Sequence, residues 1–267
     1  LGEYRRPIAA VQTCKNMFPE RSESRARAEI VLRATPGLES STTSLSTGTE
    51  GALYRFLDVL YAVSGSTLYS ISETGTATEI GTVAGAGRVS IADNGTQMMI
   101  LLGGTVRFVA QYFMVTGRAI TAAYLYDGST LSQITDPDFP TGDLAEQIYY
   151  SNLADGSAWE ALDYFSAESN PDPLSTHIVS HGNLLLFGTA QLEYHTPTND
   201  PDLPFQKSQG SEQERGCLAP ESVTGLDNTI FFLGDDRVVY KVLDFRPVRV
   251  SNHAIEAMLE QASWIDV

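Results

Sequence analysis

Cysteine and histidine are scarce in this sequence and long apolar runs are missing, and each shortage removes a class of protein. Its two cysteines, Cys14 and Cys217, lie far apart and match no metal-binding or redox spacing, so both read as buried thiols. No apolar stretch approaches the roughly 20 residues of a membrane-spanning helix, and Arg5 and Arg6 have no apolar core behind them as a signal peptide would. Because the sequence opens on Leu1, residues upstream, a removed targeting segment included, stay open. His177 and His181 are four apart, but in strand-like sequence they straddle a turn at Ser180-His181-Gly182 instead of sharing a helical face. There is no Gly-x-Ser-x-Gly elbow and no phosphate loop, and Gly85-Ala-Gly87 lacks the third glycine of a dinucleotide fingerprint. No catalytic, cofactor-binding or metal-binding residue is nominated, and the chain is not expected to be an enzyme.

Cations are the next shortage. Lys and Arg number 17 against 33 Asp and Glu, a formal charge of −16. From residue 119 to 206 there is no Lys or Arg, while acids recur from Asp127 to Asp202. Proteins that grip DNA displace counterions with Lys and Arg, so this stretch disfavours a wrapping or sequence-reading DNA binder. It suits either a solubilising surface or a wall past which a polyanion slides without sticking. The cations that exist are concentrated at one end, where Arg5, Arg6, Lys15, Arg21, Arg25, Arg27 and Arg33 make the N-terminus locally basic. These seven are the candidate docking residues, on an extended arm facing an acidic neighbour.

Helical periodicity is also rare. It occurs only near the C-terminus, where Ala254, Met258 and Leu259 share a face behind Ser251 and Asn252 as candidate caps. Elsewhere the apolar period is two. Strands are expected at 52–57, 59–64, 67–72 and 76–81, then at 88–92, 97–102 and 106–109, with an Asn94-Gly95 turn between the first pair of that group. The pattern returns at 122–126 and 131–134, at 147–151 and 159–165, at 177–180, 184–187 and 191–195, and at 222–226, 230–233, 238–242 and 246–251. Successive short meanders describe an all-β fold, a β-propeller-like series with a sandwich as the second choice. At 267 residues, length leaves one or two domains open. The expected division is a basic extended arm with a Ser/Thr/Gly connector over 1–51 and a propeller-like domain over 52–267, with a short C-terminal helix.

The loops between meanders combine Pro with acids: Asp136-Pro137-Asp138-Phe139-Pro140, Asn170-Pro171-Asp172-Pro173, and Asn199 to Phe205. Proline fixes φ and donates nothing to a ladder, so these read as rigid crossovers. Asp136, Asp138, Asp200 and Asp202 have the hard oxygen ligands Ca²⁺ prefers, yet neither loop follows a calcium-loop pattern, and structural turns are the simpler reading. Paired acids also serve glycosidases, but 33 acids supply many chance pairs. Trp159, Tyr149, Tyr150, Tyr164 and Phe165 could stack bases or sugars, although their alternation fits inter-blade packing.

A series of phrases resembles one family. Val11-Gln-Thr-Cys-Lys-Asn-Met-Phe-Pro-Glu20 and Ala34-Thr-Pro-Gly-Leu38 open it, followed by Leu60-Tyr-Ala-Val-Ser-Gly-Ser-Thr-Leu-Tyr69, Gly85-Ala-Gly-Arg-Val-Ser90 and Asp93-Asn-Gly95. Then come Ile134-Thr-Asp-Pro-Asp-Phe-Pro140, Asp155-Gly-Ser-Ala-Trp-Glu-Ala-Leu-Asp163, Ala167-Glu-Ser-Asn-Pro-Asp-Pro173, Pro204-Phe205, Gly216-Cys-Leu-Ala-Pro220, Arg249-Val-Ser251 and Ala254-Ile-Glu256. In this order the chain resembles the packaged DNA stabilisation family, tail accessory (hub or nozzle) proteins of short-tailed bacteriophages. The resemblance implies a structural protein of the virion tail, made in the host cytoplasm, that joins below the portal and its adaptor, the head completion protein. It implies a homo-oligomer, a hexamer, that extends the DNA channel, retains the genome and conducts it during ejection without sequence-specific binding. Tail needle or plug and fibre or spike proteins are the further partners it implies. Family chains continue past the point that matches Val267, which implies a distal tube or tip part. Between Thr105 and Tyr149 the order departs from the family's, with Gln111-Tyr-Phe-Met-Val-Thr-Gly117 before the Asp136 loop, and leaves the blade count there open. The alternatives are a carbohydrate-binding or glycoside-hydrolase propeller and a peptide-binding scaffold propeller.

Overall fold

A computed structural model describes residues 17–21, 30–34, 45, 51–144, 146–167, 172–200 and 203–262. The chain separates into two compact units, Leu1–Ser41 and Thr42–Val267. In the first, β1 (Met17–Arg21) pairs antiparallel with β2 (Ile30–Ala34), Met17 opposite Ala34. The stretch expected as an extended arm therefore holds a two-stranded sheet. Of the candidate docking residues, Arg21 and Arg33 fall in these strands, and Arg5, Arg6, Lys15, Arg25 and Arg27 lie outside the described residues, as do Cys14 and Asp202.

Among its described residues the second unit forms five four-stranded antiparallel sheets, the blades of a propeller. Blade I is a plain meander of β3 (Gly51–Phe56), β4 (Val59–Ser64), β5 (Thr67–Ile71) and β6 (Ala77–Thr82). The next two blades are interlaced. The chain lays down β7 (Val89–Asp93) and β8 (Met98–Leu102), leaves to form the hairpin β9 (Thr105–Val109) and β10 (Tyr112–Thr116), and returns with β11 (Ala122–Tyr126) and β12 (Leu131–Gln133). Blade II is thus β7-β8-β11-β12, and blade III is completed by β13 (Gln147–Asn152) and β14 (Asp155–Ser166) as β9-β10-β13-β14. This exchange of hairpins accounts for the unusual order noted between Thr105 and Tyr149: Tyr112–Thr116 comes early in the chain because it belongs to the blade that finishes later.

Blade IV comprises β15 (Leu174–Ser180), β16 (Asn183–Gly188), β17 (Leu192–Asp200) and β18 (Leu203–Lys207). Here the expected rigid crossover from Asn199 to Phe205 is corrected, since β17 runs to Asp200 and β18 begins at Leu203. Pro204 is tolerated because β18 is the edge of its sheet, where one side of the strand needs no ladder donor. Blade V comprises β19 (Thr224–Leu226), β20 (Thr229–Leu233), β21 (Val239–Leu243) and β22 (Arg246–Arg249). Helix α1 (His253–Glu260) follows, its first amides capped by the Asn252 side chain, which accepts from Ala254 N and Ile255 N. None of its residues is buried.

Each pair of consecutive blades closes on an apolar seam. Phe56, Tyr61 and Leu68 of blade I meet Met98, Ile100 and Tyr124 of blade II. Met99, Leu101 and Leu125 of blade II meet Val106, Phe113 and Trp159 of blade III. Met114, Tyr150 and Phe165 pack on Leu184, Leu186 and Phe205, and Leu185, Phe187 and Tyr194 pack on Ile230 and Phe232. Alternate residues of one strand serve opposite seams, as Met98 and Met99 do, so the near-continuous apolar run of β8 is what a sheet covered on both faces requires. First strands of successive blades are neighbours, β3 with β7, β7 with β9 and β9 with β15, as the inner strands of a propeller are.

Candidate functional site

The Pro-acid loops prove to be fastenings. Asp136 accepts from Asp138 N at 2.9 Å through Oδ1 and from Trp159 N at 3.1 Å through Oδ2, while the Phe139 ring stands edge-on to Trp159 at 5.0 Å. The Trp159 indole N–H donates to Gly156 O at 2.9 Å. One loop between blades II and III is thereby locked to β14, and two of the family-like phrases, 134–140 and 155–163, meet in the fold. Asp200 ends β17 of blade IV, whereas Asp136 and Asp138 lie in the loop between blades II and III. Among the described residues no three His, Cys, Asp or Glu side chains gather in a way that would hold a metal ion. Tyr150, Trp159 and Phe165 are buried in the seams, and half-buried Tyr149 and exposed Tyr164 lie with rings 5.1 Å apart.

Asp172 carries a role that sequence reading missed. It accepts from Thr189 N, Thr189 Oγ1, Ala190 N and Gln191 N, tying the entry of blade IV to the turn between β16 and β17. Its donors all come from the β16–β17 turn, so no local sequence signal announced the role. Cys217 is a free thiol in the seam between blades IV and V, and burial pushes its pKa up to about 11. Glu193 and His195, two apart on β17, form a buried pair with Nε2 and Oε2 at 3.2 Å.

A polar strip runs along the inner strands. Tyr54 of β3 donates to Asp93 at 2.7 Å, Ser90 Oγ of β7 accepts from Val106 N at 3.1 Å, and Thr176 and Thr105 hydroxyls meet at 3.4 Å. Burial and then the Asp93 hydrogen bond push the Tyr54 phenol up to about 12. Arg88 forms an ion pair with Glu221 of the 3-10 turn Pro220–Ser222, and Arg107 reaches His177 O at 3.5 Å. Desolvation, followed by the neighbouring Arg88, lowers the pKa of the Arg107 guanidinium. The strip offers hydrogen-bond donors and acceptors along the inner strands.

His177 and His181 separate, as the turn between them dictates. His181 is exposed in the β15–β16 turn, whereas His177 is fully buried beside Arg107, with neither ring nitrogen bonded. Burial first, and the Arg107 charge second, lower its pKa from 6.5 to about 3. The unfolded chain therefore takes up a proton below pH 6.5 that the fold refuses, so stability holds above that pH and falls as pH drops toward 3. Between pH 7 and 5 the loss is about 2 kcal/mol. Urea unfolding should show this pH 5 deficit in the native sequence and not in His177→Leu; equal deficits would mean that His177 does not carry it.

Comparison with curated proteins finds no match. Among solved structures, the chain is similar to apo AztD from Citrobacter koseri, at 9% identity and TM-score 0.45 over 85% of this chain and 76% of that one. It is also similar to PorZ of the Porphyromonas gingivalis type-IX secretion system, at 13% identity and TM-score 0.39, with 74% of this chain covering only 27% of that protein. A computationally designed protein, Ika8, matches at 10% identity and TM-score 0.39 over 80% of this chain and 79% of its own. None of these likenesses bears on chemistry or partners. Residues 10–267 match the phage stabilisation family described as Bacteriophage P22 Gp10, beta-propeller. With five interleaved or sequential antiparallel blades behind that match, the chain belongs to this phage family and is a structural protein of the phage particle.

Proposed function

We propose that the protein is a hub or nozzle subunit of a short-tailed phage tail, made in the host cytoplasm and assembled below the portal and adaptor as a hexameric ring. In that position it extends the DNA channel, helps retain the packaged genome, conducts it during ejection, and carries the needle or plug and the fibres or spikes. The observation that carries this reading is the family match over residues 10–267. The absence of Lys and Arg from residue 119 to 206 supports it, because an acidic wall lets a polyanion pass without sticking. No enzymatic step is part of the role.

The basic N-terminal stretch is the docking element in this proposal, and the propeller unit is the channel body. The test is native mass of the protein alone and with its matching portal–adaptor assembly, followed by electron microscopy. A ring that forms only on the adaptor is the expected result; a monomer that ignores the adaptor would sink the proposal. Deleting residues 1–33, which removes Arg5, Arg6, Lys15, Arg21, Arg25, Arg27 and Arg33, should abolish docking while blades I to V still unfold cooperatively. Undiminished docking would remove the arm from the mechanism.

A further inference from the structure

Five blades here make four seams, and among the described residues no apolar cluster joins blade V to blade I. Strand alternation shows what each of these two blades leaves uncovered. On blade I, Ala52, Tyr54 and Phe56 turn to the seam with blade II, so Leu53 of β3 and Leu60 of β4, the partner of Arg55, lie on the other face. Tyr69 of β5 and Glu79 of β6 share that face, since Tyr69 pairs with both Ala62 and Glu79, and Ala62 pairs with Leu53. On blade V, Ile230, Phe232 and Tyr240 turn to blade IV, which leaves Leu226 of β19, Phe231 of β20, Lys241 of β21, and Arg246 and Val248 of β22 opposite. Leu53, Leu60, Leu226 and Val248 are 68, 41, 61 and 40% exposed, whereas blade II, sealed on both faces, has no large apolar residue among the exposed ones described. Apolar area of this kind, gathered on two faces and not scattered, marks surfaces that are covered in use.

We infer that the two free faces are the halves of one further seam that closes between copies of this chain, blade V of one copy packing on blade I of the next. The inference deepens the ring reading above by naming its subunit contact, and rests on that reading only for the number of copies that close. Three observations select a second copy as the occupant. Blades II to V each present to the preceding blade the face that blade I leaves free, and blades I to IV each present to the following blade the face that blade V leaves free, so the bare faces are mates of a kind the fold already joins. The strands also match rank by rank: Leu53 and Leu226 lie on first strands, Leu60 and Phe231 on second, Tyr69 and Lys241 on third, and Glu79 and Arg246 on fourth. Finally, the fourth-strand charges are opposite, and among the described residues neither Glu79 nor Arg246 has an ion-pair partner. A contact between unlike faces is head-to-tail, which is the geometry that builds a ring.

The test is the sedimentation mass of the full chain at rising concentration, alone and in mixtures of variants. Association of the free chain is expected to be weak and concentration-dependent, since the adaptor supplies the effective concentration that closes a ring. Leu53→Asp and Leu226→Asp should each weaken it about tenfold or more, because either places a carboxylate inside the seam. Leu162→Asp, on the outer strand of blade III, should leave it unchanged. Glu79→Lys sets two cations against each other and should weaken it several-fold, most at low salt. An equimolar mixture of Leu53→Asp and Leu226→Asp chains retains one intact pair of faces and should form dimers that grow no further. A mixture that stays monomeric, or Leu53→Asp chains that associate as the native chain does, would overturn the inference. A native chain that is monomeric at every concentration also overturns it: lowered Tm in both variants would then mean that the faces meet within one chain, and unchanged Tm that a different protein covers them. Rings that form on the adaptor from either variant would strike this contact and leave the ring reading intact, whereas dimers in the mixture without rings on the adaptor would leave the contact standing.

Discussion

Gly103→Ala should cost several kcal/mol and leave the propeller unit unfolded or melting about 8–16 °C lower. Gly103 links β8 to β9 at φ 88°, and a Cβ there would stand 1.8 Å from Ala119 O and 2.6 Å from Ala119 C. Both clashing atoms are backbone, so no rotamer change relieves them. The crowding follows from the interlaced topology: the outgoing connection at Gly103-Gly104 and the returning connection at 117–121 must pass each other between blades II and III. Gly117 is part of the same crossing, its own added Cβ falling 2.7 Å from the Gly104 Cα. The left-handed conformation alone costs an alanine about 1–2 kcal/mol, and separating two backbone segments in a packed seam adds more. At roughly 2–4 °C per kcal/mol for a unit of this size, 4 kcal/mol lowers Tm by about 8–16 °C. The comparison that isolates the crossing is Gly142→Ala, since Gly142 has φ 83° with nothing within 4 Å of the added carbon. Calorimetry that found equal losses for the two would reduce the effect to backbone strain and discard the crossing argument.

That crossing also marks where the sequence stopped being legible. Strands whose turns carry glycine, such as the Gly65-Ser66 turn before β5, stood out from their alternation alone. Strand β9 was expected over 106–109, but its partner β10 was not among the expected strands, because the turn between them is Ala110-Gln111, both left-handed at φ 47° and 74° without glycine or asparagine to announce it. With β10 unseen, nothing local could reveal that it pairs with β13 across an intervening strand pair. Strand β18 was hidden for a different reason: Pro204 argues against a strand unless one knows that it lies at a sheet edge, which is a tertiary fact. Asn252, by contrast, was readable as a cap because the signal is contained in three consecutive residues. The same division holds for function. The ordered phrases pointed to the phage family directly, while Asp172 acquires meaning only from the β16–β17 turn that donates to it.

Trp159→Ala should be the most damaging single side-chain truncation, costing about 3–5 kcal/mol. Trp159 is 3% exposed in the seam between blades II and III, where it packs with Phe113 and Leu125 and holds Phe139 edge-on. Removing the indole empties that seam and releases Phe139, so the loop from Asp136 to Pro140 keeps only the Asp136 bond to the Trp159 backbone N–H. Trp159→Phe separates the contributions: it retains most of the apolar volume, loses the indole bond to Gly156 O, and should cost about 1–2 kcal/mol. Leu162→Ala on the same strand is the counterpart control, because Leu162 is 83% exposed and its loss should fall within about 0.5 kcal/mol of zero. Urea unfolding of the three variants orders them as Ala at 159, Phe at 159, Ala at 162. Should Trp159→Phe prove as damaging as Trp159→Ala, the indole hydrogen bond and not the packed ring would be what holds blades II and III together. Should neither exceed Leu162→Ala, the Asp136 carboxylate would be sufficient by itself to fasten the loop, and the seam would tolerate the void.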